Sequence, residues 1–146
     1  MIIAAYQGPS PEGDMVQAFR KINETLAQAA KKGAKMVVFP ELYLLGYNQM
    51  HLHEELAQPI GGDWEMQCAT LAQKHQCGLT IGWAERDRKK IYNSASTFDS
   101  SGTKLGHYRK IQLWGPIEKS IFAFGDSYCT FTLDGVKTAI LICYDI

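Results

Sequence analysis

Three side chains that could act together in catalysis follow apolar or strand-like runs of this sequence: Glu41, Lys110 and Cys143. A thiol with an ordinary pKa of about 8.5 is only a few per cent thiolate at neutral pH, so it needs a base before it can attack a carbonyl carbon. A carboxylate can take that proton, and a charged ammonium can stabilise the oxyanion that forms. The three residue types therefore indicate covalent catalysis by a cysteine. A histidine is not required for this chemistry.

The elements that must position these side chains begin with a strand–helix–strand pattern. Apolar residues recur every three or four positions over 15–32, which predicts a helix capped by Asp14 and ended by Gly33. Strand patterns flank the helix at 1–6 and 35–39. Such an opening is the usual route to parallel strands, so we expect the candidate groups at the carboxyl ends of strands, where ligands bind in open α/β sheets.

The rest of the sequence is predicted to be rich in strands. A second helix, capped by Asp63, is expected over 64–76, and a short helix near 51–57. The Asp134-Gly135 pair predicts a two-residue hairpin turn. Strands are predicted over 79–85, 91–98, 103–109, 128–133 and 136–143, with a long functional loop over 111–126. Helices that come early and strands that come late predict a layered α/β sandwich with a mixed sheet.

Composition argues against several classes of partner and location. Fifteen basic and fifteen acidic residues cancel, so no polyanionic partner is indicated, and the basic run at 86–90 lacks the interleaved aromatics of a nucleic-acid site. No stretch approaches the roughly 18 apolar residues of a membrane span. The N-terminus lacks the basic region of a signal peptide. Four cysteines without a CxxC pair predict reduced thiols in a cytoplasmic protein.

A possible metal site is suggested by His51 and His53, which are followed by Glu54 and Glu55. Alternating histidines can present two imidazoles on one side of a strand. No cysteine or distant third ligand completes a recognisable spacing, so an exposed loop or helix start is favoured and no metal is predicted.

Three motifs around the candidate catalytic residues resemble those of the nitrilase superfamily, the carbon–nitrogen hydrolases. The segments VFPEL around Glu41, HYRKIQL around Lys110 and LICYD around Cys143 match in type and order. The resemblance covers essentially the whole chain and implies a four-layer αββα sandwich that hydrolyses non-peptide C–N bonds without a cofactor. It implies that Glu41 is the general base, Lys110 the oxyanion stabiliser and Cys143 the nucleophile.

Substrate-binding residues are also expected near this triad. The resemblance implies that Glu118 orients the lysine and the substrate amine, and a surface glutamate in a proline-containing loop is the alternative. Tyr47, Trp114 and Phe122 are candidate pocket walls because they lie in loops beside the catalytic candidates, although aromatic residues are more often core. The backbone N–H of Tyr144 follows the nucleophile and can donate to an oxyanion.

One departure from the family concerns the C-terminal side. The family's cysteine motif continues into a helix and the rest of the sandwich, so we expect a single hydrolase domain over 1–146 that is incomplete at its C-terminus. The expected function is a cytoplasmic, homo-oligomeric amidase that cleaves a small carboxamide or N-carbamoyl compound through a thioester and releases ammonia. The alternatives are nitrile hydrolysis by the same site, a non-catalytic association or binding module, and a redox-sensing thiol protein.

Overall fold

The computed structural model describes residues 1–146, in which helices alternate with short strands first and longer strands follow. The elements in chain order are β1 (Ile3–Ala5), α1 (Met15–Lys31), β2 (Met36–Val38), α2 (Met50–Leu56), α3 (Asp63–His75), β3 (Gly78–Asp87), β4 (Lys90–Phe98), β5 (Lys104–Arg109), α4 (Gly115–Ile121), β6 (Cys129–Leu133), β7 (Val136–Ile140) and a final 3₁₀ turn (Cys143–Asp145). The predicted α/β class is confirmed. None of the helices is long and apolar enough to cross a lipid bilayer.

The larger sheet is mixed, with the strand order β1-β2-β3-β4-β5. Strands β1, β2 and β3 are parallel, and β4 and β5 are antiparallel to their neighbours. Helical crossovers produce the parallel half and tight turns produce the antiparallel half. Strands β6 and β7 form a separate two-stranded sheet that turns at Asp134-Gly135, as predicted.

One face of the larger sheet is covered by α1 and α3. The Asp14 side chain accepts a hydrogen bond from the Gln17 backbone N–H and caps α1, and Ile22 and Leu26 of this helix are fully buried. They pack in the main core against residues of β3 such as Ile81. A fully buried aliphatic side chain of this kind contributes about 1.5–3 kcal/mol, so this layer provides much of the stability.

The opposite face carries the β6–β7 hairpin. Ile140 and Ile142 pack there against Ala95 and Tyr108 of the larger sheet. Gly106 permits this close approach, because an added Cβ would lie 2.8 Å from Cys129 Sγ and 2.9 Å from a Phe131 ring carbon. The chain therefore forms three layers: helices, the larger sheet, and a hairpin that stacks on it as a second small sheet.

The sequence predictions are wrong at three element boundaries. Residues 115–121 of the predicted loop form α4, where Pro116 occupies the first turn, a position that favours proline. The last strand ends at Ile140 and not at Cys143, because Ile140 pairs with Cys129, the first residue of β6. The φ of Cys143 is +47°, outside the extended region. Helix α3 has Gly62 at its N-cap, so Asp63 is the first helical residue and not the cap.

Candidate active site

Glu41 is held at the end of β2 by a close backbone contact with β3. Leu42 adopts a φ of +50°, so the chain turns sharply after the glutamate. At Gly82 of β3, an added Cβ would lie 2.5 Å from the Leu42 nitrogen and 2.6 Å from the Pro40 oxygen. The absence of a side chain at Gly82 therefore lets the Glu41 segment lie directly on the sheet. The Glu41 side chain is 16% exposed.

Lys110 follows β5 and is fixed through both its backbone groups. Its N–H donates to the Asn93 carbonyl at 2.8 Å, and its carbonyl accepts from the Gly125 N–H at 2.8 Å. Its side chain is fully buried, and Nζ lies 2.6 Å from Glu41 Oε1 and 3.0 Å from both carboxyl oxygens of Glu118. The lysine thus joins two carboxylates that come from distant parts of the chain.

These carboxylates determine the charge of the lysine. Burial alone would lower the pKa of Lys110, but hydrogen bonds and charge interactions with Glu41 and Glu118 outweigh burial and raise the pKa above its ordinary value. The ammonium is therefore charged at neutral pH, as an oxyanion stabiliser must be.

Glu118 lies on α4 and is 1% exposed, so the alternative of a surface glutamate is wrong. Besides Lys110, it accepts hydrogen bonds from the Tyr47 hydroxyl at 2.6 Å and from the Trp114 backbone N–H at 2.8 Å. Burial and the hydrogen bond to Glu118 together raise the pKa of Tyr47 well above its ordinary value. The tyrosine therefore stays protonated and keeps donating to the carboxylate.

Cys143 is the exposed cysteine of the chain and begins the 3₁₀ turn. It lines a cavity of about 120 Å³ together with Glu41, Gly82 and Ala95. The positive φ of Cys143 is uncommon for a side chain of this kind and is a form of backbone strain that clusters at functional sites. The thiol is accessible, has no hydrogen-bond partner in the protein, and shares its cavity with the carboxyl group that contacts Lys110.

Asp145 organises the turn that carries Cys143. Its Oδ2 accepts hydrogen bonds from the Tyr108 hydroxyl at 2.8 Å and from the Ile142 N–H at 2.9 Å. Its Oδ1 accepts from the backbone N–H groups of Ile111 at 3.2 Å and Gln112 at 2.8 Å. One carboxylate therefore ties the turn of the nucleophile to the segment that follows Lys110.

The remaining predicted site residues lie around this centre in different ways. Tyr47 and Trp114 line a neighbouring pocket of about 270 Å³, which is separate from the cavity of the thiol. The Tyr144 side chain is 55% exposed and lines neither space. Phe122 is 4% exposed and packs in the core with Leu113, so its prediction as a pocket wall is wrong.

The two histidines of the candidate metal site lie in different environments. His53 is fully buried on α2, with Nε2 3.1 Å from the Gly46 carbonyl oxygen, so the prediction of an exposed segment is wrong for this residue. Burial lowers the pKa of His53 to about 4. The ring is therefore neutral at pH 7 and packs at a tilt against Phe122, whereas His51 is exposed.

A second polar cluster lies on the helix-covered face of the sheet and has the composition of a hydrolytic triad. His107 Nδ1 is 3.3 Å from Ser96 Oγ, and its Nε2 is 2.8 Å from Glu85 Oε2. Ser96 is fully buried and donates to Glu65 Oε1 at 2.6 Å, so no substrate reaches this hydroxyl. The cluster therefore stabilises the sheet and provides no nucleophile.

Glu85, the fully buried member of this cluster, is held as a carboxylate by its neighbours. Burial alone would raise its pKa, but hydrogen bonds from His107, Arg109 and Ser94 lower the pKa of Glu85 to about 2. The Arg109 guanidinium also contacts Asp87 at 3.1 Å. These contacts join side chains of β3, β4 and β5 across the sheet.

Sequence reasoning missed the roles of Asn93 and Asp145. Asn93 Nδ2 donates to Glu41 Oε1 at 2.7 Å, and the residue is 1% exposed in β4. The available signal is its residue type, because asparagine is depleted in strands and a buried one requires an explanation. Asp145 gives no comparable signal, because its partners are identified only by the folded chain.

Comparison with known proteins identifies the family. Residues 2–146 match the model of the carbon–nitrogen hydrolase family. The chain therefore belongs to the carbon–nitrogen hydrolases, and the family predicted from the three motifs is confirmed.

Individual relatives are similar over half of their own length. The whole chain is 31% identical over 146 residues to an (R)-stereoselective amidase of a Pseudomonas species and covers 52% of it. A nitrilase of Pyrococcus abyssi is 35% identical over 131 residues, which are 87% of this chain and 49% of that protein. The chain thus spans about half the length of the curated relatives it matches.

A solved structure with the same fold is a mutant of a nitrilase-superfamily amidase from Nesterenkonia AN1. It matches 97% of this chain and 56% of its own chain, with a TM-score of 0.89 and 23% sequence identity. The predicted nitrilase-like sandwich is confirmed as the fold, and it is incomplete relative to that structure.

Proposed function

We propose that this chain carries the catalytic residues of an amidase that hydrolyses a small carboxamide or N-carbamoyl compound through a cysteine thioester. The observation that supports this most directly is the 2.6 Å contact between Lys110 Nζ and Glu41 Oε1, beside the cavity that Glu41 shares with Cys143. A base, a cation and an accessible thiol are the three groups that acyl transfer to sulfur requires.

The reaction begins when Cys143 Sγ attacks the carbonyl carbon and Glu41 takes the thiol proton. An ammonium has three N–H donors, and one to each of its two carboxylates leaves one for the oxyanion. The backbone N–H of Tyr144 is the proposed second donor. One well-placed donor contributes roughly 10²-fold or more to the rate, about 3 kcal/mol.

The intermediate collapses when the C–N bond breaks and Glu41 gives its proton to the departing nitrogen, which releases ammonia. Glu41 then takes a proton from water as the hydroxyl oxygen attacks the thioester carbonyl. The C–S bond breaks, the acid leaves, and the proton returns to the Cys143 thiol. Glu118 keeps Lys110 charged and in place, and the Tyr47 hydroxyl holds Glu118 by donating to its carboxylate.

The proposal includes a cytoplasmic location, no cofactor, and assembly as a homodimer or larger homo-oligomer. The four cysteines support the location, because all of them are free thiols. Exposed apolar side chains support association; examples are Tyr128, 79% exposed, and Val136, 51% exposed.

The test measures ammonia release from propionamide, butyramide and an N-carbamoyl amino acid by the purified chain. We expect ammonia with an equal amount of carboxylic acid from the two amides, and with equal amounts of amino acid and carbon dioxide from the N-carbamoyl compound. We also expect loss of release in Cys143→Ala, and less than a tenth of kcat in a folded Lys110→Ala variant. Cys129→Ala is the matched control and is expected to retain activity. Ammonia release that survives in Cys143→Ala would refute the thioester mechanism.

Nitrile hydrolysis is the second candidate, because a relative that is 35% identical is named a nitrilase. The same thiol can attack a nitrile carbon, so butyronitrile is assayed beside butyramide. Faster turnover of the nitrile would select this alternative.

Absence of turnover of any substrate, with acrylamide adding uniformly slowly to all cysteines, would favour a non-catalytic association module. Mild peroxide treatment tests the redox alternative, which requires Cys143 to oxidise readily.

A further inference from the structure

Asn93 contacts both ionisable residues that the proposed mechanism places beside the thiol. Its side-chain amide donates to Glu41 Oε1 at 2.7 Å, and its backbone carbonyl accepts from the Lys110 N–H at 2.8 Å. The residue is 1% exposed and pairs in the sheet with Ala84, which is fully buried. A single buried residue of β4 thus links the two segments, which are 69 residues apart in the chain.

Sheet stability alone does not account for an asparagine at this position. Asn93 Oδ1 is buried without a hydrogen-bond partner, which costs stability. In the opposite amide orientation Oδ1 would face the Glu41 carboxylate, and these two acceptors repel each other. The orientation in which Nδ2 donates to Glu41 is therefore favoured. An apolar side chain of similar size would leave no unpaired oxygen. The asparagine therefore has a role in its contact with the carboxylate.

The two oxygens of Glu41 are used differently. Oε1 accepts from both Asn93 Nδ2 and Lys110 Nζ. Oε2 accepts no hydrogen bond from the protein and is not among the buried unpaired atoms, so it remains accessible. Because Glu41 and Cys143 line the same cavity, Oε2 is the oxygen available for proton exchange with the thiol.

We propose that Asn93 is a positioning residue that, with Lys110, holds Glu41 Oε1 so that Oε2 stays directed to the proton of Cys143. The inference rests on the proposed function. The terminal torsion of a glutamate is broad and roughly two-fold. Without the amide donor the carboxylate can rotate, and either oxygen can turn to the lysine. The carboxylate then spends less time in the orientation that accepts the thiol proton.

The test is a double-mutant cycle on the rate at which methyl vinyl ketone, a small electrophile without a C–N bond to hydrolyse, adds to Cys143, measured by mass spectrometry at neutral pH. Asn93→Asp keeps the side-chain shape and removes the donor. We expect Asn93→Asp and Glu41→Gln each to slow addition by about 10-fold or more, since a hydrogen bond to a charged group is lost in the first and the base in the second. The double variant is expected to be no slower than Glu41→Gln, because both changes act through one carboxylate.

The matched control is Ser94→Ala, which removes a buried hydrogen bond to Glu85 on the opposite face of the same strand. It is expected to leave the rate of addition unchanged. Circular dichroism and melting temperature identify folded variants, and Asn93→Leu, which is uncharged, replaces Asn93→Asp if the latter does not fold. In the Asn93 variants, kcat for ammonia release from butyramide, calculated per Cys143 thiol that can be labelled, is expected to fall while KM changes less than about 3-fold.

The outcomes separate this inference from the function on which it rests. If the parent adds methyl vinyl ketone at Cys143 no faster than free glutathione does, the proposed function and the positioning role are both overturned. If the parent reacts rapidly and folded Asn93 variants react equally fast, only the positioning role is overturned. Additive effects in the double variant would also overturn it, because a structural defect acts independently of Glu41.

Discussion

Replacing Glu118 with glutamine is a direct test of the buried charge pair beneath the candidate site. The carboxylate accepts from the Tyr47 hydroxyl and Lys110 Nζ at Oε1, and from Lys110 Nζ and the Trp114 N–H at Oε2. Glutamine has nearly the same shape but one acceptor oxygen. In either amide orientation its NH₂ group faces the Lys110 ammonium, and in one of them it also faces the Trp114 N–H, so the charge pair and at least one hydrogen bond to that side of the carboxylate are lost.

The magnitude follows from the full burial of both members of the ion pair, Lys110 and Glu118. Each lost hydrogen bond costs about 1–3 kcal/mol when a donor is left unpaired, and breaking a buried ion pair costs about 3–5 kcal/mol. The second carboxylate, Glu41, still neutralises Lys110, so we expect the lower part of the range. The free energy of unfolding should fall by about 3 kcal/mol, which for a chain of this length corresponds to about 10 °C in melting temperature.

The assay is urea unfolding at pH 7 followed by circular dichroism, with thermal melting as a second measurement. Glu24→Gln is the matched control: its carboxylate contacts Lys21 at 3.0 Å on the exposed face of α1, so no change outside measurement error is expected. A loss below about 1 kcal/mol for Glu118→Gln would refute the reasoning, because an ion pair buried to this extent cannot be broken at so small a cost.

Three further substitutions test other parts of the structure. Gly82→Ala forces the Glu41 segment off the sheet, so it should cost about 1–3 kcal/mol and slow methyl vinyl ketone addition to the thiol; unchanged addition would contradict the contact. Asp145→Ala leaves its four donors without their acceptor and should slow the reaction of Cys143 in a chain that remains folded, whereas an unaltered rate would show that the turn persists without it. The parent should lose stability as pH falls from about 4.5 towards 2, because the pKa of Glu85 is lowered to about 2 and the carboxylate stabilises the fold only while ionised. Urea unfolding of Glu85→Gln at pH 6 and pH 3 should give a weaker dependence on pH, and an equal dependence would assign the effect to other carboxyl groups.

The sequence predicts those elements whose signals lie in neighbouring residues. The apolar stripe and the Asp14 cap are contained within α1, and the Asp134-Gly135 turn determines the hairpin from two residues. The same patterns place Glu41 and Lys110 shortly after strands, as the structure does, whereas they extend the last strand to Cys143 and the structure ends it at Ile140. In the structure Glu41 directly contacts Lys110 and shares a cavity with Cys143.

Features that depend on distant contacts are not predictable in this way. Helix α4 has seven residues, and its position depends on the contact of Glu118 with Lys110 and Trp114. The turn at Cys143 depends on Asp145, whose partners include groups more than 30 residues away. The periodicity of a short segment carries no information about such partners, because tertiary contacts select its conformation.

The separation of the two sheets has a mechanical consequence for the candidate site. No backbone hydrogen bond joins β6 or β7 to the larger sheet. The Cys143 sulfur therefore follows the hairpin, whereas Glu41 and Lys110 follow strands of the larger sheet, and the two sheets are held together by side-chain packing and by the hydrogen bonds of Asp145. A shift of the hairpin by about 1 Å relative to the larger sheet would break no hydrogen bond between strands, yet a displacement of that size can reduce a rate by about 10²-fold. Activity can therefore be lost while circular dichroism still records a native chain, because that signal reports the content of strands and helices and not the fit between the hairpin and the larger sheet.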